Sequence, residues 1–217
     1  MAKETALIFC AHPDDEIIGV GGTIAKYAKE GKDVIVVIFS YGESSHVWMK
    51  KRHTITTRVK EAKEAGKTVG AKRTIFLALR DGMLLKDVKS KKVEGIIKDL
   101  VEKYKPNRIF THSHDDMIFV DHKAVNNVVV KVLKKMRYKG DVYIFDIWNP
   151  ITIRKRHAPK MIVDVSDTFK IKEKALGCFK SQSFVIAELK PLIYGRAIKN
   201  GIEIGVKFAE KFYKAEL

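Results

Sequence analysis

The sequence of 217 residues has little cysteine, a single glutamine and no long apolar run. Its two cysteines, Cys10 and Cys178, are too few for a multi-cysteine zinc site, and we expect both to be free thiols. No stretch approaches the ~18 apolar residues that a membrane-spanning helix needs. The first four residues lack the basic-then-apolar order of a signal peptide, so we expect a cytoplasmic location.

Acidic residues are scarce relative to basic ones. The chain has 42 Lys and Arg against 26 Asp and Glu, which gives a formal net charge of +16. Such an excess is typical of nucleic-acid-binding proteins. The lysines are spread along the whole chain, however, and no segment interleaves them with aromatic residues, so we favour a lysine-rich surface over a nucleic-acid partner. The same charge would attract an anionic small substrate, and many lysines with one glutamine are typical of heat-adapted proteins.

Short apolar runs alternate with helical patterns, which is typical of βαβ units around a parallel sheet. Residues 34–39 are apolar on both faces, as expected of a strand covered on both sides. We therefore predict an α/β fold: one doubly wound, Rossmann-like, mostly parallel sheet with helices on both faces, in a single domain over residues 1–217. The predicted strands are 6–11, 34–39, 74–78, 108–111, 142–147 and a sixth at 161–165; the predicted helices are 16–30, 52–69, 91–104, 122–137 and 168–180.

Two segments that follow predicted strands are rich in histidine and aspartate, and ligands of open parallel sheets bind beyond the carboxyl ends of the strands. The first segment is His12-Pro13-Asp14-Asp15-Glu16. Taken alone, it fits a metal site and a helix N-terminal cap equally well, because acidic residues in a first helical turn are favourable without a metal. The second segment favours a metal, since it places three of the seven histidines within residues 112–122. Its polar residues are His112, His114, Asp115, Asp116, Asp121 and His122, of which Asp115 and Asp116 also fit a solvated loop.

Three protein ligands and one open position are typical of a catalytic zinc ion. One histidine and one aspartate from the first segment, with one histidine from the second, would complete such a set. A further carboxylate beside the ligands could take a proton from a water molecule that the metal has made more acidic. The residues alone do not decide whether Asp14 or Asp15 would be the ligand.

The run Ala11-His12-Pro13-Asp14-Asp15-Glu16 resembles the signature of the PIG-L/LmbE-like zinc deacetylases, enzymes that remove acetyl groups from N-acetylglucosamine units. The six-residue signature is specific, and weaker matches follow in family order over nearly the whole chain. These matches are Gly21-Gly22-Thr23, Arg58 with Glu61, Asp81-Gly82, Asp121-His122, Lys180-Ser181-Gln182 and Ala209-Glu210-Lys211-Phe212.

The resemblance implies a role for each matching residue. It implies a zinc ion (Zn²⁺) bound by His12, Asp15 and His122, with Asp14 as the general base. It also implies that Asp121 orients the chemistry and that Arg58 binds the substrate.

The chain departs from the family where members commonly have an oxyanion-stabilising histidine, three residues before the ligand histidine. Phe119 stands there, and its ring cannot donate a hydrogen bond. Either His112 or His114 turns into this place, or the zinc alone holds the oxyanion. Losing one such donor typically costs about 10²–10³-fold in rate, so weak activity is one alternative. Trp148 could stack on a sugar ring, although a core position suits it equally.

The sequence thus predicts a zinc-dependent hydrolase that releases acetate from an N-acetylglucosamine-type amino sugar, free or conjugated. Two alternatives share these motifs: a catalytically weakened protein that binds glycans or polyanions, and a zinc amidase for another amide. Related enzymes tend to form trimers or hexamers, so we expect a homo-oligomer.

Overall fold

A computed structural model describes residues 3–45, 50–116, 119–147 and 159–217. In these residues, seven strands form one sheet in the order β3-β2-β1-β4-β5-β7-β6. The strands are β1 (Thr5–Cys10), β2 (Asp33–Ser40), β3 (Arg73–Leu79), β4 (Arg108–His112), β5 (Asp141–Phe145), β6 (Lys160–Asp164) and β7 (Ala209–Lys214). The helices are α1 (Asp15–Lys29), α2 (Lys51–Thr68), α3 (Leu84–Asp87), α4 (Lys91–Tyr104), α5 (Val120–Lys135), α6 (Phe169–Leu176) and α7 (Ser183–Ile204), and a 3₁₀ turn spans Lys180–Gln182.

The first five strands are parallel, and β7 runs antiparallel to both of its neighbours, β5 and β6. Both faces of the sheet are buried: alternate side chains of β1 point to opposite faces and belong to two separate hydrophobic cores. One core packs β1 against α1, α2, α6 and α7. The other packs it against α3, α4 and α5. The predicted fold, a mostly parallel sheet with helices on both faces, is confirmed.

The chain beyond residue 165 differs most from the prediction. The helix predicted over 168–180 ends at Leu176, and neither α7 nor β7 was predicted. Helix α7 contains Pro191, and two large apolar side chains, Phe184 and Ile202, are exposed on it, so its apolar spacing does not mark one buried face. The predicted sixth strand is confirmed as β6.

Helix α1 lies close against the sheet because its glycines leave room. A Cβ atom on Gly19 would overlap the ring of Phe145 on β5, and one on Gly22 would lie 2.9 Å from Val165 Cβ. These contacts fix the position of α1, whose first turn carries Asp15.

The last strand also anchors α1, through the buried carboxylate of Glu210. Its Oε1 accepts a hydrogen bond from Gly22 N at 3.0 Å, and its Oε2 accepts from Thr23 N at 2.8 Å and Thr23 Oγ1 at 2.7 Å. The ammonium of Lys172 on α6 lies 2.6 Å from Oε1 and donates to Ile18 O at 2.8 Å. Glu210 therefore joins β7, α6 and α1.

Both cysteines are free thiols, Cys10 buried and Cys178 half-buried, which confirms the prediction. None of the helices in the described residues is long and apolar enough to cross a membrane.

We predict that Glu210→Ala lowers the free energy of unfolding by about 3–5 kcal/mol, because it leaves the buried ammonium of Lys172 without its carboxylate partner. Glu203→Ala is the matched control: it removes the ion pairs of a half-exposed carboxylate with Lys211 (2.6 Å) and Lys160 (3.6 Å) and should cost less than about 1 kcal/mol. Urea unfolding of both variants measures the two costs. Equal costs would show that Glu210 does not anchor α1.

Candidate metal centre

The histidine- and aspartate-rich segments meet where the strand order reverses. Strand β1 has β2 on one side and β4 on the other, so the chain winds away in both directions from this point. Ligands of doubly wound sheets bind in the crevice outside the carboxyl ends of such strands. His12 to Glu16 follow β1, and the segment after β4 leads into α5, whose first turn carries Asp121 and His122.

The loop after β1 is held by its own carboxylates. Asp15 Oδ2 accepts a hydrogen bond from His12 N at 2.8 Å, and Glu16 Oε2 accepts from Asp14 N at 3.0 Å. Asp14 has a φ of 111°, a conformation that costs an L-residue about 1–3 kcal/mol and is concentrated at functional sites. The local hydrogen bonds thus hold a strained turn that places two carboxylates, those of Asp14 and Asp15, in the lining of one cleft.

His12, Asp15 and His122 bring three potential ligand atoms within 4.8 Å of one another. Asp15 Oδ2 lies 3.6 Å from His12 Nδ1, and Asp15 Oδ1 lies 3.5 Å from His122 Nε2. Two imidazole nitrogens and one carboxylate oxygen are a donor set that zinc accepts readily. These three residues, predicted from the sequence as ligands, therefore fit a divalent metal ion.

A second group, His12 with Asp81 and Asp121, satisfies the same geometric condition. It uses the other nitrogen of His12: Nε2 lies 3.0 Å from Asp81 Oδ1 and 3.5 Å from Asp121 Oδ2. Asp121 Oδ2 also accepts from Gly82 N at 2.9 Å, and Asp81 Oδ2 accepts from Ser44 N at 2.7 Å. This arrangement is typical of carboxylates that hydrogen-bond the far nitrogen of a ligand histidine.

Asp14 lies beside the first group and is held by Arg58 of α2. Arg58 Nη2 donates to Asp14 Oδ2 at 3.0 Å and to Pro13 O, and Nη1 donates to Gly42 O at 3.1 Å. Burial raises the pKa of Asp14 to about 6, against the opposing effect of the Arg58 guanidinium. Arg58 is thus hydrogen-bonded to Asp14, and the contact between Arg58 and the substrate stays a prediction.

The electrostatics of the cluster are set by burial and by charge pairing. Burial alone would lower the pKa of His12, but hydrogen bonds with Asp121, Asp15 and Asp81 outweigh it and raise this pKa well above 6.5. Burial would raise the pKa of Asp15, yet the neighbouring His122 and His112 hold it well below 3.8. The cluster therefore pairs the ionised carboxylate of Asp15 with neighbouring imidazoles, and a bound cation would neutralise the same carboxylate.

The structure gives no support to a substrate contact by His112 or His114. His112 is buried, its Nε2 accepts from Ala11 N at 3.0 Å, and burial together with the charge of His122 lowers its pKa to about 4. His114 is 60% exposed, and its Nε2 pairs with Asp115 at 3.0 Å. Neither side chain lines the cleft, so the structure does not support either of them as the oxyanion donor that Phe119 replaces. Trp148, the other predicted sugar contact, lies outside the described residues.

The cleft over the cluster has a volume of about 510 Å³. The ring of Phe119 forms part of its wall, with its centroid 5.0 Å from that of His122 and 6.3 Å from that of His12. Gln182, on the 3₁₀ turn before α7, also lines the cleft, and its Nε2 donates to Ser45 Oγ at 3.3 Å. An apolar ring thus stands where a donor was expected.

Two carboxylates have contacts that sequence reasoning did not identify. Asp116, which fitted a solvated loop, is 3% exposed and lies 2.7 Å from His122 Nδ1. Glu61 on α2 accepts from Ser181 N at 2.8 Å and Ser181 Oγ at 2.6 Å, and so holds the turn that carries Gln182. Sequence signals existed only for Glu61, which lies three residues after Arg58 on the same helix.

The profile of the PIG-L family, described as GlcNAc-PI de-N-acetylase, matches residues 7–133. A curated relative, "Probable N-acetyl-alpha-D-glucosaminyl L-malate deacetylase 2" of Bacillus cereus, is 30% identical over 200 residues, which cover 87% of this chain and 87% of the relative.

Two solved structures share the fold. The N,N'-diacetylchitobiose deacetylase from Pyrococcus horikoshii has a TM-score of 0.83 and 22% identity, over 98% of this chain and 84% of that one. The 4-carboxy-2-hydroxymuconate hydratase from Pseudomonas putida has a TM-score of 0.86 and 20% identity, over 99% of this chain and 97% of that one. At these identities the likeness establishes the fold alone, and one fold can carry different reactions.

We predict that Asp15→Ala abolishes tight divalent-metal binding, because the carboxylate of Asp15 faces both His12 Nδ1 and His122 Nε2. Elemental analysis of the purified protein should find about one divalent ion per chain in the wild type and much less in the variant. The control, His114→Ala, removes an exposed imidazole and should keep the metal. A wild-type protein that holds no divalent ion after supplementation would contradict this assignment.

Proposed function

The chain belongs to the PIG-L family, and from this premise we propose that it is a zinc-dependent hydrolase that removes the N-acetyl group of an N-acetylglucosamine-type amino sugar. The observation that carries the proposal is the cluster of His12, Asp15 and His122 with the buried carboxylate of Asp14 beside it. It combines a metal-ligand set with a separate proton acceptor in one cleft. The curated relative, named as a deacetylase of a glucosaminyl conjugate, supports the same reaction.

In this proposal His12, Asp15 and His122 hold the zinc ion. When bound, zinc would polarise the acetyl carbonyl and make a water molecule more acidic. Asp14 accepts the proton of the attacking water at the oxygen that Arg58 does not hold. Arg58 keeps the other oxygen in place through its 3.0 Å hydrogen bond, so Asp14 enters the reaction in one orientation.

The same proton then passes to the nitrogen of the substrate. The water oxygen bonds to the carbonyl carbon, the carbon–nitrogen bond breaks, and the proton held by Asp14 moves to the departing nitrogen. The first products are acetic acid and the free amino sugar; the acid gives its remaining proton to the amine or to water and becomes acetate, so atoms and charges balance. Asp121, fixed by Gly82 N and facing His12 Nε2, would keep the His12 ring in register during these steps.

The charges that line the cleft favour a sugar without a negative charge. Asp14, Asp15, Asp81 and Asp121 line it, whereas Arg58 is the single Lys or Arg among the described lining residues and is already bonded to Asp14. The other described lysines and arginines do not line the cleft. The net charge of the chain mildly favoured an anionic substrate, and the lining of the cleft does not support that finer expectation.

We predict that Asp14→Asn keeps the metal but slows acetate release by about 10²–10⁴-fold, because an amide cannot accept the proton. Acetate release from N-acetylglucosamine and from N,N'-diacetylchitobiose, together with elemental analysis, measures both properties. Asp99→Asn, which changes an exposed carboxylate of α4, is the control and should behave like the wild type. Normal turnover by Asp14→Asn would contradict the assigned proton acceptor.

A panel of substrates separates the proposal from its two alternatives. Acetate release from acetylated amino sugars supports it. Release only from other acetylated amines would indicate a different amidase. A metal-loaded protein that releases no acetate, yet binds an anionic glycan with strong salt dependence, would indicate a binding protein instead.

A further inference from the structure

The two ring nitrogens of His122 face two different carboxylates. Nδ1 lies 2.7 Å from Asp116 Oδ2, and Nε2 lies 3.5 Å from Asp15 Oδ1. The imidazole is 1% exposed, so neither contact is shared with bulk water. The shorter contact is a strong hydrogen bond by distance, whereas the longer one leaves space between the nitrogen and the oxygen.

Asp116 is placed so that both of its oxygens must accept hydrogen bonds. Its Oδ1 accepts from Phe119 N at 3.0 Å, immediately before α5 begins at Val120. Its Oδ2 faces His122, in the first turn of the same helix. One buried carboxylate thus fixes both the start of α5 and the orientation of the ring that α5 carries.

We propose that Asp116 is a positioning residue that holds His122 with its proton on Nδ1, so that the lone pair of Nε2 is free to bind a metal ion. This inference rests on the proposed function, because it assumes that His122 is a ligand. Ionised Asp116 can only accept hydrogen bonds, and Phe119 N–H already donates to its other oxygen. The tautomer of a ligand histidine is set by the hydrogen bond that its second nitrogen makes.

The ring of His112 cannot determine which nitrogen of His122 carries the proton. It stacks on His122 with centroids 4.0 Å apart and an interplanar angle of 8°. Stacking restrains the plane of the ring but makes no distinction between its two nitrogens. The hydrogen bond to Asp116 is the contact that makes this distinction.

His12, the other proposed ligand histidine, has the same arrangement with the roles of its two ring nitrogens exchanged. His12 Nε2 lies 3.0 Å from Asp81 Oδ1, and its Nδ1 faces Asp15. In both histidines, one nitrogen faces Asp15 and the opposite nitrogen faces a carboxylate outside the ligand set. Because the arrangement occurs twice, we interpret the carboxylate behind each ligand imidazole as a positioning group rather than a chance contact.

The test is the zinc affinity of Asp116→Asn, measured by competition with a chromophoric chelator. The asparagine can accept from Phe119 N or from His122 Nδ1 but not from both, because its second polar atom is a donor. We expect zinc binding to weaken by about 10–100-fold, the usual effect of removing such a partner. Asp115→Asn is the matched control: the adjacent carboxylate pairs with the exposed His114 and should leave zinc affinity unchanged.

Unchanged affinity in Asp116→Asn, or an equal loss in Asp115→Asn, would overturn the inference. A second measurement needs no variant, in case Asp116→Asn fails to fold. Long-range ¹H–¹⁵N correlation spectra of the zinc-loaded wild-type protein should show His122 bound through Nε2 with a proton on Nδ1, and the opposite pattern would overturn the inference. If the wild-type protein binds no zinc, the proposed function fails; if zinc binds as tightly without the Asp116 carboxylate, only the role of Asp116 fails.

Discussion

The carboxylate of Asp15 is buried at the carboxyl end of β1, and the surrounding residues are arranged to neutralise it. Its Oδ2 accepts from His12 N and lies 3.1 Å from His112 Nε2, while its Oδ1 faces His122. An unpaired buried carboxylate costs several kcal/mol, so it must be matched by hydrogen-bond donors or by a cation. The loops that follow β1 and β4 meet where the strand order reverses, and together they supply the donors and imidazoles around Asp15. The chemistry of the site depends on this pairing.

The elements that carry the site are in turn held by other buried carboxylates. Glu210 on β7 accepts from the backbone of α1, Glu61 on α2 holds the turn with Gln182, and Asp116 fixes the start of α5. Each bond joins segments that are distant in sequence or fixes the first turn of a helix. Because these carboxylates are buried, their bonds are less weakened by water and salt than surface contacts would be. Rigid placement of this kind is what a preorganised metal centre needs.

The sequence predicts the sheet and the centre of the site well, because both depend on local patterns. Apolar runs of strand length mark β1 to β6, and the polar residues that follow β1 and β4 share one edge of the sheet for topological reasons. The pairing of Asp116 with His122 has no such signature, because a loop aspartate reads as solvated until the fold buries it. For His112, its place after β4 suggested a substrate contact; the structure shows a buried ring whose Nε2 lies 3.1 Å from Asp15, and the substrate contact stays a prediction. Helix α7 and strand β7 escape prediction because Pro191 and a charged, short strand obscure their periodicity.

In the proposed metal centre, one divalent ion lies between His12, Asp15 and His122. Anomalous diffraction at the zinc absorption edge, from crystals grown with zinc, tests this placement most directly. We predict an anomalous peak bounded by these three side chains, with Asp81 and Asp116 on the far sides of the two imidazoles. A principal peak between His12, Asp81 and Asp121 instead, or no peak at this edge of the sheet, would contradict it.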